Sequence, residues 1–160
     1  MNEDECCPKF DAERWDKRTF NWEDKPFIKE SIPTFLHTPF PPMIWWKLNK
    51  MWKMAEEAEA TLPNKEEILV LFNDPNAFKS EIYLSVAKEV DEAKNSKISG
   101  DFVSKVFDGP YNAIPRFISE MNEYLSGENK TAKDYYVHYA YCQKCAKKFG
   151  HNYMILFAEV

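Results

Sequence analysis

The sequence predicts an α+β domain in which duplicated βαββ units share one antiparallel sheet, with two helices and a pseudo-twofold relation. Three observations predict it. The segment ending at Val90 can be laid without gaps over the segment ending at Val160: Glu89-Val90 falls on Glu159-Val160, Tyr83 on Tyr153, Met51 on Met121, and Ile44 on Ile114. Each half then reads strand, helix, strand, strand in its apolar pattern. Finally, 160 residues at 44% apolar suffice for one core, and a βαββ unit cannot cover its sheet face alone.

The elements follow in order. Residues 1–26 form an N-terminal extension whose Phe10, Trp15, Phe20 and Trp22 predict that it packs on the domain. The domain spans 27–160, with halves at 27–90 and 101–160. Residues 27–37 are β-rich and close at the Pro-Phe-Pro-Pro run, 39–42. Residues 43–60 have helical spacing at Ile44, Leu48, Met51, Ala55 and Ala58, and Leu62-Pro63-Asn64 stops the helix. Residues 68–72 form a short apolar strand ended by Asn73-Asp74-Pro75-Asn76, and 81–90 alternate as a strand. In the second half 101–107 alternate until Asp108-Gly109-Pro110. A helix over 113–125 follows, with Ile114, Phe117, Ile118, Met121 and Leu125 on one face and Gly127 as its stop. Residues 135–141 and 153–160 complete the sheet as strands.

Composition excludes several functions. With 21 Lys+Arg against 26 Asp+Glu the net charge is −5, which lacks the basic footprint that nucleic acid requires. No run approaches the roughly 20 apolar residues of a membrane span. The acidic opening MNEDECCPKF has neither the basic flank nor the apolar stretch of a secretory signal, so a cytoplasmic location is expected. Dinucleotide and phosphate loops, the Gly-x-Ser-x-Gly elbow and the His-Glu-x-x-His helix are missing from the sequence. No helix-turn-helix segment precedes the domain, so a one-component transcription factor is not expected. Aromatic residues make up 16% of the chain; such rings build cores, and they also line pockets for flat or greasy ligands.

The segment Lys105-Val-Phe-Asp-Gly-Pro-Tyr-Asn-Ala-Ile-Pro-Arg-Phe-Ile-Ser-Glu-Met-Asn-Glu-Tyr-Leu125, a strand, then Gly-Pro-Tyr, then a helix, resembles the hallmark of the GyrI-like small-molecule-binding domain. That family includes effector-binding domains of multidrug-responsive regulators as well as stand-alone proteins. The resemblance covers about residues 27–160 and implies a duplicated βαββ fold with a ligand pocket. Cys-Cys-Pro-Lys-Phe at 6–10 and Cys-Gln-Lys-Cys at 142–145 look like a stand-alone bacterial subgroup. Some stand-alone members hydrolyse strained cyclopropane-containing toxins with a pocket carboxylate and aromatic residues, and others only bind. The family pattern carries its pocket Glu on the final strand as Glu-x-aromatic. Here that place reads His151-Asn152-Tyr153, whereas Glu81-Ile82-Tyr83 keeps the pattern on the related strand of the first half.

From this come the candidate residues. Glu81 is the candidate catalytic carboxylate, and desolvation among rings is expected to raise its pKa, fitting it for proton transfer or for pairing with a cationic ligand. The ligand-binding set is Trp45, Trp52, Glu81, Tyr83, Phe107, Tyr111, Tyr139 and Tyr153, expected around a groove between the halves. Tyr111 either faces that cavity or anchors the helix start. The four cysteines leave three readings. Cys6, Cys7, Cys142 and Cys145 hold a structural zinc that pins the extension to the last hairpin, with His138 and His151 as substitute ligands. Alternatively Cys142 and Cys145 cycle to a disulfide, helped by Lys144, Lys147 and Lys148, or the thiols simply pack. No cofactor is required. The expected function is binding of an apolar or cationic organic compound for sensing or sequestration. The alternatives are hydrolysis of electrophilic toxic compounds, with Glu81 as base and Tyr83 or Tyr139 polarising the substrate, and a module that docks a larger partner.

Overall fold

The structure, a computed structural model, describes residues 10–35, 38–39, 41–76, 78–141 and 143–160. Within these, the side chains at 35, 38–39, 41–42, 45, 75–76, 111 and 143–144 are not described. Its elements are β1 (Arg18–Phe35), β2 (Thr38–Pro39), α1 (Pro41–Glu57), β3 (Val70–Asn76), β4 (Lys79–Ser85), β5 (Asn95–Asp108), α2 (Ile114–Gly127), β6 (Asp134–Tyr139), α3 (Gln143–Phe149) and β7 (Tyr153–Glu159). This is the mixed α and β composition expected, with antiparallel pairing throughout the two units into which the chain divides. One is Glu23–Ser99; the other joins the N-terminal residues through Trp22 to Gly100–Val160. The division falls inside β1 and β5. No helix among the described residues is long and apolar enough to cross a membrane.

In the unit Glu23–Ser99, β4 pairs with β1 on one side and β3 on the other, and β2 pairs with the end of β1, all antiparallel. Side chains of a strand alternate between faces, and one face here carries Ile28 and Ile32 of β1 and Ile82 and Leu84 of β4. Against it α1 buries Met51 and Ala55, with Ile44, Leu48 and Trp52 partly buried beside them. The helix opens on Pro41-Pro42, where a missing N–H costs nothing. It closes when the Ala60 N–H donates to the Ala55 carbonyl at 2.8 Å, with Glu59 left-handed at φ 54°. On the same face Lys47 and Lys50 reach Glu30 at 3.3 and 3.4 Å.

Several strand limits differ from the sequence pattern, among them the start of β5 at Asn95 in place of residue 101 and the end of β6 at Tyr139 in place of residue 141. β1 starts at Arg18, ahead of the expected residue 27. The alternation of Phe20 and Trp22 was already a strand signal. β3 continues through the expected turn to Asn76, absorbing it as a register shift between Asn73 and Asn76. β4 ends at Ser85 although alternation runs on to Val90. Val86 and Val90 stay buried in the α1 core without strand pairing, so their periodicity reflects burial. The chain there turns at Asn95, whose amide bonds both the N–H and the carbonyl of Val90 at 2.8 Å.

In the other unit β7 lies between β5 and β6, both antiparallel. Val103, Phe107, Val137, Met154, Leu156 and Ala158 form the face covered by α2 through Phe117, Met121 and Leu125. The Tyr135 hydroxyl donates to Asn122 of α2. The opposite face is aromatic. Trp15, Phe20 and Trp22 close on Phe157 at ring distances of 6.0, 6.2 and 5.5 Å, and Trp22 lies 4.5 Å from Phe102. Ser104 donates its hydroxyl to the Trp15 carbonyl, and the Val106 N–H donates to Asp16. Residues 15–22 are thus fastened to the sheet face of their own unit. The segment between β6 and β7, expected as a plain hairpin, contains α3. Seven residues are too few to show helical periodicity, and Gly150, left-handed at φ 71°, ends the helix.

Candidate functional site

The face of the Glu23–Ser99 sheet opposite α1 is where polar groups converge. By alternation it carries Phe27, Lys29 and Ser31 of β1, Lys79, Glu81 and Tyr83 of β4, and Leu71 and Asn73 of β3. The register sets Lys29 beside Tyr83 and Ser31 beside Glu81. Phe27, Leu71 and Tyr83 are buried, and Phe27 meets Tyr83 edge to face at 6.2 Å. Within this apolar setting the Glu81 side chain is only 13% exposed and receives three partners. The Tyr83 hydroxyl donates to Oε2 at 2.6 Å, Lys29 Nζ lies 3.0 Å from the same oxygen, and Lys79 Nζ lies 3.5 Å from Oε1. Lys29 Nζ also sits 5.5 Å from the centre of the Tyr83 ring.

The expected direction of the Glu81 pKa is reversed. Burial does push its carboxyl up, but hydrogen bonds from Tyr83 and Lys29 and the charges of Lys29 and Lys79 outweigh burial. They hold it below the ordinary value of 4.5. A lowered carboxylate pKa contributes stability that is present above the unfolded-state value and lost as pH falls through the folded one. The Glu81→Gln variant is therefore expected to lose less stability than the parent between about pH 5 and pH 3. Urea midpoints across that range check it; parallel curves would contradict it.

The other sequence candidates belong to other elements than β1 and β4. Trp52 lies on the α1 side of the sheet, packed against the helix core, and its indole N–H donates to Glu56 at 2.5 Å. Phe107 and Tyr139 belong to the α2 core of the other unit. Phe107 stacks on Phe117 at 4.7 Å and is buried. As alternation requires, Tyr153 is on the opposite face of β7 from Met154 and Leu156. Trp45 belongs to α1 and Tyr111 to a short 3-10 turn, Tyr111–Ala113; their side chains fall outside the described ones. Sequence reasoning missed Lys29 and Lys79. Lys79, Glu81 and Tyr83 recur with period two, which is a readable signal. Lys29 needs the β1–β4 register, which the sequence does not show.

Tyr153 anchors a second cluster, in the other unit. Its ring lies 5.2 Å from Phe10, 6.0 Å from Tyr141 and 4.9 Å from His151, which stacks on it. His151 Nδ1 is 2.8 Å from Asp108 Oδ2, and the Asn152 N–H donates to Asp108 Oδ1 at 2.8 Å. Burial raises the Asp108 pKa, but these partners outweigh it and hold the carboxyl low. His151 and Asp108 are both more than two-fifths exposed, a solvated pair at a strand end. Of the cysteines, Cys145 is fully buried in α3, while Cys6, Cys7 and Cys142 lie outside the described residues, and the zinc and disulfide readings with them. Among the described residues no three His, Cys, Asp or Glu side chains are grouped to hold a metal.

A recess of about 300 Å³ opens in the Glu23–Ser99 unit, lined by Pro26, Phe27, Glu89, Asn95, Ser96 and Lys97. None of the sequence candidates lines it. Its ionic pair, Lys97 and Glu89 at 3.8 Å, is over half exposed at both ends and so adds little. Phe27 connects the recess to Tyr83, and the polar groups that converge are those around Glu81, itself 13% exposed. That cluster is the better candidate.

A family model described as bacterial hydrolase matches residues 1–160. No curated protein matches the sequence. Among solved structures, the EcmrR C-terminal domain superposes with a TM-score of 0.67 at 9% identity, covering 91% of this chain and 96% of that one. A hydrolase from Listeria innocua gives 0.57 at 14% identity, covering 90% and 91%. SAV2435 bound to tetraphenylphosphonium gives 0.56 at 11% identity, covering 91% and 93%. At such identities the likeness is one of fold.

Proposed function

The chain belongs to the bacterial hydrolase family, and from that premise we propose that it binds a small organic molecule at the Glu81 face of the Glu23–Ser99 sheet. The single observation that carries this reading is a carboxylate, two ammonium groups and a phenol converging on one another beside buried Phe27 and Leu71. Ligand sites are mostly apolar with a few placed polar groups. The family match and the fold shared with the EcmrR domain and with ligand-bound SAV2435 fit a small-molecule-binding family. We read the two units, each with strands on either side of one long helix, as a repeat of the GyrI-like kind, serving sensing or sequestration.

Calorimetric titration of the full chain with tetraphenylborate and tetraphenylphosphonium tests the reading. Saturable binding of at least one ion is expected, weakened about tenfold or more in Tyr83→Ala through lost apolar contact. A flat response to both would overturn it.

A second reading is hydrolysis, favoured by the family description and by the 2.6 Å bond between Tyr83 and Glu81. Glu81, held ionised by its lysines, would accept the proton of a water attacking an electrophilic carbon, while Lys29 or Tyr83 would stabilise charge on the departing atom. Product formation from an electrophile panel, abolished in Glu81→Gln, is the outcome this reading requires.

A further inference from the structure

Two described groups that would attract a cation on this sheet face already hold one. The Glu81 carboxylate has Lys29 on Oε2 and Lys79 on Oε1. The face of the Tyr83 ring, the other cation-attracting surface, has Lys29 Nζ 5.5 Å from its centre. Two ammonium groups against one carboxylate leave one net positive charge in the cluster. Each ammonium carries three donors, and contact with Glu81 uses one of each. The lysine side chains are 33% and 48% exposed, against 13% for Glu81, so the positive groups are the accessible ones.

Resting on the binding function proposed above, we propose that this site selects apolar organic anions over lipophilic cations, with Lys29 and Lys79 supplying the recognition. On this proposal a cation is disfavoured, because it must displace Lys29 from Glu81 and from the Tyr83 ring to reach those two surfaces. An anion needs no displacement and completes the donor capacity of both ammonium groups.

Tetraphenylborate and tetraphenylphosphonium have nearly the same size and apolar surface and opposite charge, so their affinity ratio isolates the charge preference. The full chain titrated with each at low ionic strength is expected to bind the borate about tenfold tighter or more. The overall charge of −5 favours the cation at long range, so an anion preference must arise locally. Raising salt to about 0.5 M should shrink the ratio in the unmodified protein. In the Lys29→Met, Lys79→Met double variant the preference should reverse, with Glu81 left as the dominant charge. Binding of neither ion overturns the binding function itself. Equal affinities or tighter phosphonium binding overturn the anion selectivity alone. An anion preference that persists at high salt and in the double variant overturns the assignment to these lysines.

Discussion

Phe157→Ala is expected to cost about 3–5 kcal/mol of folding stability, a large fraction of the roughly 5–15 kcal/mol that natural domains possess. Phe157 is fully buried at the centre of β7, where Trp15, Phe20 and Trp22 all pack against its ring. Truncation removes the apolar transfer energy and leaves a cavity among rigid rings that cannot collapse into it. The strand ladder from Ser104 to Tyr136 across Phe157 holds the backbone apart on both sides. Equilibrium urea unfolding followed by far-UV circular dichroism measures the loss. A cost under about 1 kcal/mol would mean that residues 15–22 do not close on this face.

Gly109→Ala is the second large effect, at about 1–3 kcal/mol. A Cβ on Gly109 would stand 2.7 Å from Cζ of Phe117. That ring is buried and is held by its stack on Phe107 at 4.7 Å. Gly109 cannot easily retreat, because its N–H donates to the Asn152 carbonyl and its own carbonyl accepts from the Asn152 amide at 2.7 Å. Combining Gly109→Ala with Phe117→Leu should cost less than the sum of the single changes, since the shortened side chain vacates the contact. A double-mutant cycle gives the coupling; strict additivity would contradict the steric account.

The Gly-Pro-Tyr turn owes its glycine to this contact, which the sequence could not display. What it did display was the long helix of each unit and the strands before and after it. Apolar residues at Met51 and Ala55, and at Phe117, Met121 and Leu125, announced both long helices because each buries one stripe against a sheet. Strand limits were less legible. Val86 and Val90 alternate as strand residues do, yet their burial comes from the α1 core.

The candidate site was half visible. Glu81 and Tyr83 were found by period two on one strand, and Lys79 obeys the same period. Lys29 comes from another strand, and only the register brings it to Glu81. Its absence from the sequence reading is why burial was expected to raise the Glu81 pKa. Among the rings, Phe107 is buried in the α2 core, and Tyr139 and Trp52 pack partly buried against the helix-covered clusters of their units. A ring gives no sign in the sequence of whether a helix or a ligand covers it.

The central claim is that ligand binds at the Glu81 face, and the most direct measurement is fluorine NMR of the chain labelled with 3-fluorotyrosine. The Tyr83 resonance, assigned with Tyr83→Phe, should shift progressively and saturably with tetraphenylborate while that of Tyr139, inside the α2 core, stays fixed. Saturable binding that moves Tyr139 or Tyr153 and leaves Tyr83 unchanged would contradict the claim.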